Sequence, residues 1–182
     1  MRATRLRVIA GELRGRRIEA PRGPQTRPTA ERTREAVFSI LGDVTGARVL
    51  DLFAGSGALG IEALSRGAAH ATFVDDAPAA SAAIRLNLER LGLEDRSVFI
   101  KENVVTGALP SGPYDLVFID PPYRDAGALG PLLASKLLAA LAPGSCLVTE
   151  SDRRSPLELG LPLTLERRYG DTLIRIHRTA ST

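Results

Sequence analysis

Four consecutive residues in the middle of the chain combine groups that can bind an amine. Asp120, Pro121, Pro122 and Tyr123 follow the apolar run 117–119, which is typical of the end of a buried strand. The prolines fix φ and remove two backbone donors, so carbonyls and the Asp120 carboxylate remain as acceptors. Tyr123 adds a flat stacking surface. The pattern predicts a receptor for a planar NH2 group, as methylation of an exocyclic base amine requires; a proline-stiffened turn is the alternative.

Residues 47–64 predict a strand, a glycine-rich turn and a helix. Gly55, Gly57 and Gly60 satisfy G-x-G-x-x-G, which alone is weak evidence for dinucleotide binding. Here Asp51 ends the strand, and its carboxylate would repel a pyrophosphate at that point. The same carboxylate suits a cationic ligand with an α-amino group and a sulfonium, as in S-adenosylmethionine. The predicted cofactor-binding residues of this segment are Asp51, Phe53, Ala54, Gly55, Ser56 and Gly57.

Polar residues also end the other predicted strands. Asp75 ends the second strand, where a carboxylate can accept both ribose hydroxyls of either kind of ligand. Asp76 is predicted to cap the following helix. Asn103 ends the third, where its amide either meets an adenine amino group or begins a turn. Because parallel strands end at one edge of a sheet, Asp51, Asp75, Asn103 and Asp120 are expected to converge there.

Strands and helices alternate from residue 47 onwards. Helices are predicted over 58–66, 78–91 and 128–141, and strands that end at residues 52, 74, 100, 119 and 149. Residues 163–169 and 172–177 form a predicted hairpin around Gly170 and Asp171, which makes the last strand antiparallel. The expected fold class is α/β, with a mostly parallel seven-stranded sheet.

A separate hairpin and helix are predicted before this sheet. Residues 6–10 pair with 17–19, and Thr29 precedes a helix over 30–41. The predicted organisation is a basic extension over residues 1–42 and a second unit over 43–182, forming one compact body.

Composition limits the class of protein. The chain has 182 residues, of which 44% are hydrophobic and 25% charged, as in a globular domain with a sizeable core. No apolar run approaches the roughly 20 residues of a membrane span. Cys146 lies in an apolar run and is read as a buried hydrophobe in a reducing compartment, so we expect a cytoplasmic protein. Two histidines and one cysteine argue against a metal site.

Positive charge is concentrated at the start of the chain. The net charge is +3, but residues 1–40 contain ten arginines and four acids, and the remainder is net negative. Arginine binds phosphate bidentately and stacks on bases, so nucleic acid is the expected partner. A solvated arginine-rich extension is the alternative. The predicted RNA-contacting residues are Arg14, Arg16, Arg17 and Arg27.

Segments 26–29, 51–68, 120–123 and 169–172 resemble the bacterial 16S ribosomal RNA (guanine(966)-N(2))-methyltransferase family. The resemblance implies a class I methyltransferase fold, S-adenosylmethionine as donor without a metal, and Thr29 in the cofactor site. It also implies a guanosine of 16S rRNA as acceptor. Because the enzyme is small and has one modest basic face, we expect its target RNA to lie within an assembled or partly assembled small subunit. We expect a monomer.

Other functions have partial support in the same residues. Asp120–Tyr123 is shared with methyltransferases that act on adenine N6 or on protein amides. The glycines alone would fit a nicotinamide oxidoreductase, against which Asp51 argues. A non-catalytic RNA-binding module would leave the convergent carboxylates unexplained.

Overall fold

The computed structural model of the protein describes residues 6–21, 31–122 and 126–181. The predictions for Arg27, Thr29 and Tyr123 therefore lie outside the described residues. The strands are β1 (Leu6–Arg7), β2 (Arg17–Ile18), β3 (Arg48–Leu52), β4 (His70–Val74), β5 (Ser97–Ile100), β6 (Tyr114–Ile119), β7 (Leu141–Asp152), β8 (Leu163–Tyr169) and β9 (Thr172–Arg178). The helices are α1 (Glu31–Leu41), α2 (Ala58–Ser65), α3 (Pro78–Leu91) and α4 (Ala126–Leu137).

Seven strands form one sheet in the order β5-β4-β3-β6-β7-β9-β8. Strands β3 to β7 are mutually parallel, whereas β9 is antiparallel to both β7 and β8. The predicted mostly parallel seven-stranded sheet with a terminal antiparallel hairpin is thus confirmed. Because the five parallel strands share one direction, their carboxyl ends form a single edge, where ligands bind in open α/β sheets.

Two predicted boundaries after β6 are wrong. The helix predicted over 128–141 ends at Leu137 and is followed by a 3-10 turn, Leu138–Ala140. Leu141 already pairs with Tyr114 of β6, so the apolar run is divided between a helix and a strand. Strand β7 continues three residues beyond Thr149, because its antiparallel ladder with β9 runs on to the pair Asp152 and Thr172.

Apolar residues cover both faces of the large sheet. One core contains residues of α1, α2 and α3, and the other contains residues of α4. The small hairpin β1–β2 belongs to the first core through Leu6, Val8 and Ile18, which are at most 3% exposed. Residues 6–18 and the large sheet therefore share one hydrophobic core.

Cys146 and His177, two residues of potentially reactive types, are both buried. Cys146 is buried, as expected, and burial raises the pKa of its thiol. His177 is also buried, with its Nδ1 3.1 Å from the Leu161 carbonyl oxygen, and burial lowers the pKa of this imidazole. Both groups are held in their uncharged forms, which suits packing between strands. Within the described ranges, no helix is long and apolar enough to cross a membrane.

Candidate active site

The predicted site residues converge on one edge of the sheet. Leu52 is in register with Val74 of β4 and with Ile119 of β6, and Val74 is in register with Ile100 of β5. The residues that follow these strands are therefore neighbours at the carboxyl edge. They are Asp75 after β4, Asn103 after β5 and Asp120 after β6. Asp51, the second-last residue of β3, lies at the same edge.

The glycine-rich turn between β3 and α2 has an unusual backbone. Phe53, Gly55 and Gly57 have φ values of 57°, 56° and 75°. These left-handed conformations reverse the chain tightly, and glycine adopts them without strain. A Cβ at Gly55 would meet no described atom nearer than 3.9 Å, so a ligand can approach the backbone closely there. The turn is shaped as a cradle, which fits the predicted cofactor.

Gly60 allows α2 to pack against the sheet. A Cβ at this position would lie 2.4 Å from Cε1 of Phe73, far inside van der Waals contact. The short distance between helix and strand brings the Gly60 amide within 2.9 Å of Asp51 Oδ2. The third glycine of the fingerprint thus serves close helix–strand packing, as in dinucleotide-binding folds.

Asp51 is almost completely buried, with 2% of its surface exposed. Burial raises the pKa of Asp51 to about 8, although the hydrogen bond from the Gly60 amide partly offsets this effect. The nearby Asp75 carboxylate raises the pKa of Asp51 further. Ionisation of this carboxyl is therefore unfavourable unless a cationic partner is present.

Asp75 also holds the glycine-rich turn. Its Oδ2 accepts a 2.9 Å hydrogen bond from the Gly55 amide, and its Oδ1 accepts one of 2.9 Å from Ala77. Burial raises the pKa of Asp75. The prediction that Asp76 caps α3 is wrong, because Asp75 satisfies the amide at the start of this helix. Asp76 instead accepts a 2.6 Å hydrogen bond from the Asn103 side chain.

Asn103 starts a turn after β5. Its Oδ1 accepts hydrogen bonds from the amides of Val105, at 3.0 Å, and Thr106, at 2.9 Å. Its Nδ2 donates to Asp76. The turn interpretation is thus confirmed, whereas contact with an adenine stays a prediction. With its oxygen already accepting twice, the side chain has only its second Nδ2 hydrogen to offer a ligand.

The segment after β6 meets the sheet edge beside this turn. Asp120 is half-buried, Pro121 is buried and Pro122 is exposed. Phe118, just before them, is fully buried, and its ring centroid lies 5.7 Å from that of Phe38 in α1. The strand end is therefore anchored by core packing. The predicted acceptors lie next to the strand that carries Asp51.

The predicted RNA-contacting arginines Arg14, Arg16 and Arg17 are all exposed, but they have different neighbours. Arg16 donates a 2.7 Å hydrogen bond to the Arg90 carbonyl near the end of α3. Arg14 lines a depression of about 270 Å³ between the hairpin and the start of α1. The other charged residues of its lining are Arg7, Glu31, Arg32 and Glu35. The contacts of Arg14 and Arg16 are therefore different, and the role of these arginines in RNA binding stays a prediction.

Three structurally important residues were not singled out from the sequence. Asn87 and Glu62 are fully buried polar residues on α3 and α2. Each interrupts an otherwise apolar helix face, which is a signal that sequence alone contains. Lys136 of α4 donates to the carbonyls of Val105 and Gly107, the latter at 2.9 Å, and so fixes the turn after β5. Nothing in the local sequence distinguishes this lysine from a solvated one.

The described side chains at the sheet edge are not grouped in the way that metal ligands are. Among the described residues, no group of three or more histidine, cysteine, aspartate or glutamate side chains is arranged to hold a metal ion. The chemistry available here is that of hydrogen-bond acceptors and of one buried carboxyl.

The sequence matches the family described as "Conserved hypothetical protein 95" over residues 6–178. "Putative rRNA methyltransferase YlbH" of Bacillus subtilis strain 168 is 34% identical over 181 residues, 95% of this chain and 98% of that protein. "Ribosomal RNA small subunit methyltransferase D" of Escherichia coli strain K12 is 43% identical over 121 residues, 65% of this chain and 61% of that protein.

Solved structures have the same architecture. "Putative methyltransferase yhhF" from Escherichia coli superposes with a TM-score of 0.83 at 32% identity, over 98% of this chain and 100% of that one. An RNA methyltransferase from Salinibacter ruber in complex with S-adenosyl-L-homocysteine has the same fold, with a TM-score of 0.66 at 18% identity over 85% and 95% of the two chains. The expected class I methyltransferase fold is confirmed. The chain belongs to the family described as Conserved hypothetical protein 95 and is a homologue of proteins named ribosomal RNA small subunit methyltransferase D.

Proposed function

We propose that the protein transfers a methyl group from S-adenosylmethionine to the exocyclic N2 of one guanosine, guanine 966, in 16S rRNA of the small ribosomal subunit. The observation that carries the proposal is the meeting of two sets of groups at one sheet edge. One set is the glycine-rich turn held by Asp51 and Asp75, and the other is the acceptor segment 120–122 on the adjacent strand. The names of the relatives support an rRNA substrate.

The donor site is assigned to the end of β3 and the turn that follows. Asp51 Oδ2 is occupied by the Gly60 amide, so Oδ1 would meet the ligand's α-ammonium. That ion pair would compensate the burial that raises the pKa of Asp51. Asp75 would accept the ribose hydroxyls, and the backbone of Gly55 would pass close to the ligand. When bound, S-adenosylmethionine supplies an electrophilic methyl group on a sulfonium.

The acceptor site is assigned to Asp120, Pro121 and Pro122. The amine lone pair of guanine is delocalised into the ring, so the amine is a poor nucleophile. Asp120 and the Pro121 carbonyl would accept its two N–H groups, turn the lone pair toward the methyl group and stabilise the developing positive charge. As the N–C bond forms, the bond from the sulfonium to the methyl group breaks, S-adenosylhomocysteine leaves, and the surplus N2 proton passes to the Asp120 carboxylate. Rate acceleration would come mainly from positioning. Tyr123, outside the described residues, would stack on a base extruded from the RNA.

Methyl transfer to another nitrogen is the second candidate. The acceptor segment binds an NH2 group by its hydrogens and does not by itself distinguish guanine N2 from adenine N6 or from a side-chain amide. The identity of the methylated nucleoside therefore decides between these functions.

The direct test supplies radiolabelled S-adenosylmethionine and small ribosomal subunits that lack the modification. After incubation, the RNA is digested to nucleosides and the label is located by chromatography. Label in N2-methylguanosine is the expected result. Subunits that already carry the methyl group are the matched control and should accept no label.

Two results would contradict the proposal. Label in N6-methyladenosine or in ribosomal protein would mean that the same site methylates another nitrogen, which is the second candidate function. Absence of label in both the RNA and the protein of unmodified subunits, together with tight binding of S-adenosylhomocysteine, would support the proposed donor site and reject the proposed acceptor.

A further inference from the structure

Asn87 joins two parts of the molecule that are far apart in sequence. It lies on α3 and is 0% exposed. Its Oδ1 accepts a 2.8 Å hydrogen bond from the amide of Glu19, just after β2. Its Nδ2 donates to two carbonyl oxygens at 2.9 Å, those of Glu19 and Ser56. The amide is therefore fully engaged and connects the N-terminal hairpin to the glycine-rich turn.

The contact with Ser56 fixes the centre of the turn. The Ser56 carbonyl belongs to the peptide unit whose nitrogen is that of Gly57. That nitrogen donates a 2.7 Å hydrogen bond to the Ala54 carbonyl. One peptide plane is thus held at its oxygen by Asn87 and at its N–H by the turn itself. Loss of the Asn87 contact would leave a buried carbonyl without its partner and free this plane to rotate.

The hairpin also forms hydrogen bonds with α2, the helix that follows the glycine-rich turn. Glu62 of α2, fully buried, accepts hydrogen bonds from the amides of Ile9, at 2.8 Å, and Ala10, at 3.0 Å. Ser65 accepts one of 3.0 Å from Leu13 and donates one of 2.6 Å to Ala10. The hairpin that carries the exposed arginines is therefore bound both to α2, which follows the glycine-rich turn, and to α3.

We propose that Asn87 is a positioning residue that couples the arginine-bearing hairpin to the cofactor turn, so that RNA bound to the hairpin tightens binding of S-adenosylmethionine. This inference rests on the proposed function, since it needs an RNA and an adenosyl ligand. RNA that restrains Glu19 also restrains Ser56, because the Asn87 side chain is hydrogen-bonded to both residues. Because coupling between two ligands is reciprocal, the adenosyl ligand tightens RNA binding by the same factor.

The test measures binding without turnover. The dissociation constant of radiolabelled S-adenosylhomocysteine is determined by equilibrium dialysis, with the protein alone and with saturating unmodified small subunits. We expect the subunits to tighten this binding at least about fivefold, the lower end of typical coupling between sites. Equal constants in the two conditions would overturn the inference.

The variant Asn87→Ala identifies the residue that carries the coupling. The Kd for S-adenosylhomocysteine alone should rise about fivefold to tenfold, as for a lost buried hydrogen bond. The tightening by subunits should disappear. Tyr114→Phe is the matched control, because it removes a buried hydrogen bond of 3.3 Å to Thr72 away from the hairpin. It should keep the tightening, whereas an Asn87→Ala protein that keeps it would reject the assignment.

A second variant covers the case in which Asn87→Ala does not fold. Arg14 and Arg17 are exposed, so Arg14→Ala/Arg17→Ala should fold normally. With saturating subunits, we expect this variant to lose most of the tightening of S-adenosylhomocysteine binding. Full tightening in this variant would contradict the role of the hairpin. Failure of either ligand to bind the wild-type protein would reject the proposed function itself, a result distinct from two ligands that bind independently.

Discussion

Asp51 Oδ2 accepts a 2.9 Å hydrogen bond from the Gly60 amide and so joins the end of β3 to α2 across the glycine-rich turn. One of the carboxylates assigned to the cofactor thus also has a role in holding the fold. The two roles conflict electrostatically, because a buried carboxyl that awaits a cation is costly to ionise. This conflict makes the stability of the protein depend on pH.

Asp51→Asn is expected to stabilise the protein at neutral pH. The pKa of Asp51 is about 8 in the folded protein, against an ordinary value of 3.8. Below the ordinary value both folded and unfolded chains hold the proton. As pH rises from there to about 8, only the unfolded chain releases it, so stability falls, and above that pH the loss is complete. Asparagine keeps an acceptor for Gly60 and does not ionise.

The measurement is the melting temperature of both proteins from pH 5 to pH 9. The variant should be more stable by roughly 1–3 kcal/mol at pH 7–8, after part of the gain is offset by its buried NH2 group. The difference should shrink toward pH 5. Parallel curves would show that the ionisation of Asp51 does not control stability. We also expect the variant to bind S-adenosylhomocysteine more weakly than the wild-type protein does.

Gly60→Ala is expected to destabilise the protein by about 1–3 kcal/mol, as overpacked core positions do. The added methyl would lie 2.4 Å from the Phe73 ring and 3.2 Å from Asp51 Oδ2. Phe73→Leu removes the clashing ring atom, so the double variant should lose less stability than the two single variants combined. Urea unfolding of all four proteins gives the coupling energy. Strict additivity would mean that the methyl is accommodated by a shift of α2 and not by the ring.

The sheet was predictable because each of its parallel strands contains a short apolar run with a polar residue at or near its end. Ile119 before Asp120 and Val74 before Asp75 are examples, and the registers of these strands follow from the shared edge. The boundary between α4 and β7 was not predictable. Leu137, Leu138 and Leu141 continue one apolar pattern, and only the pairing of Leu141 with Tyr114 decides where the helix ends.

The candidate site was predictable in its positions but not in its contacts. Asp51 and Asp75 were assigned to a ligand from their place at strand ends, yet Asp75 also accepts from the Gly55 amide of the turn and Asp51 from the Gly60 amide of α2. Such contacts depend on where α2 packs, which sequence spacing does not determine. The bridge from Asn87 to Glu19 and Ser56 spans residues far apart in the chain, so no local pattern contains it.

Arg14→Ala/Arg17→Ala is expected to weaken RNA binding and to reduce its dependence on salt. Each lost phosphate contact lowers the slope of log K against log salt by about 0.7–0.9, so the double variant should lose about 1.5. Arg16 is left in place because its guanidinium binds the Arg90 carbonyl and supports the hairpin. Affinity for small subunits is measured by filter binding at several salt concentrations.

The control for this experiment removes the same charge elsewhere. Arg85→Ala/Arg178→Ala replaces two exposed arginines outside the hairpin, on α3 and at the end of β9. Its salt slope should match that of the wild-type protein. Equal effects of the two double variants would attribute RNA binding to net charge and not to the hairpin.

Asp120→Ala is expected to reduce kcat about 10²- to 10³-fold, as the loss of one preorganised electrostatic contact to a transition state does. The Kd for S-adenosylhomocysteine should stay nearly unchanged, because the glycine-rich turn is held by Asp51 and Asp75. Single-turnover methylation and equilibrium dialysis measure the two quantities separately.

Asp115→Ala is the matched control for this last change, since Asp115 lies near the start of β6 and Asp120 directly follows the end of that strand. There its Oδ2 accepts a 2.8 Å hydrogen bond from the Arg48 amide, remote from the carboxyl edge. This variant should methylate at nearly the wild-type rate. A near-wild-type rate for Asp120→Ala would reject its role as an acceptor for the amine. An equal loss in both variants would attribute the effect to distortion of β6, because this strand connects the two residues.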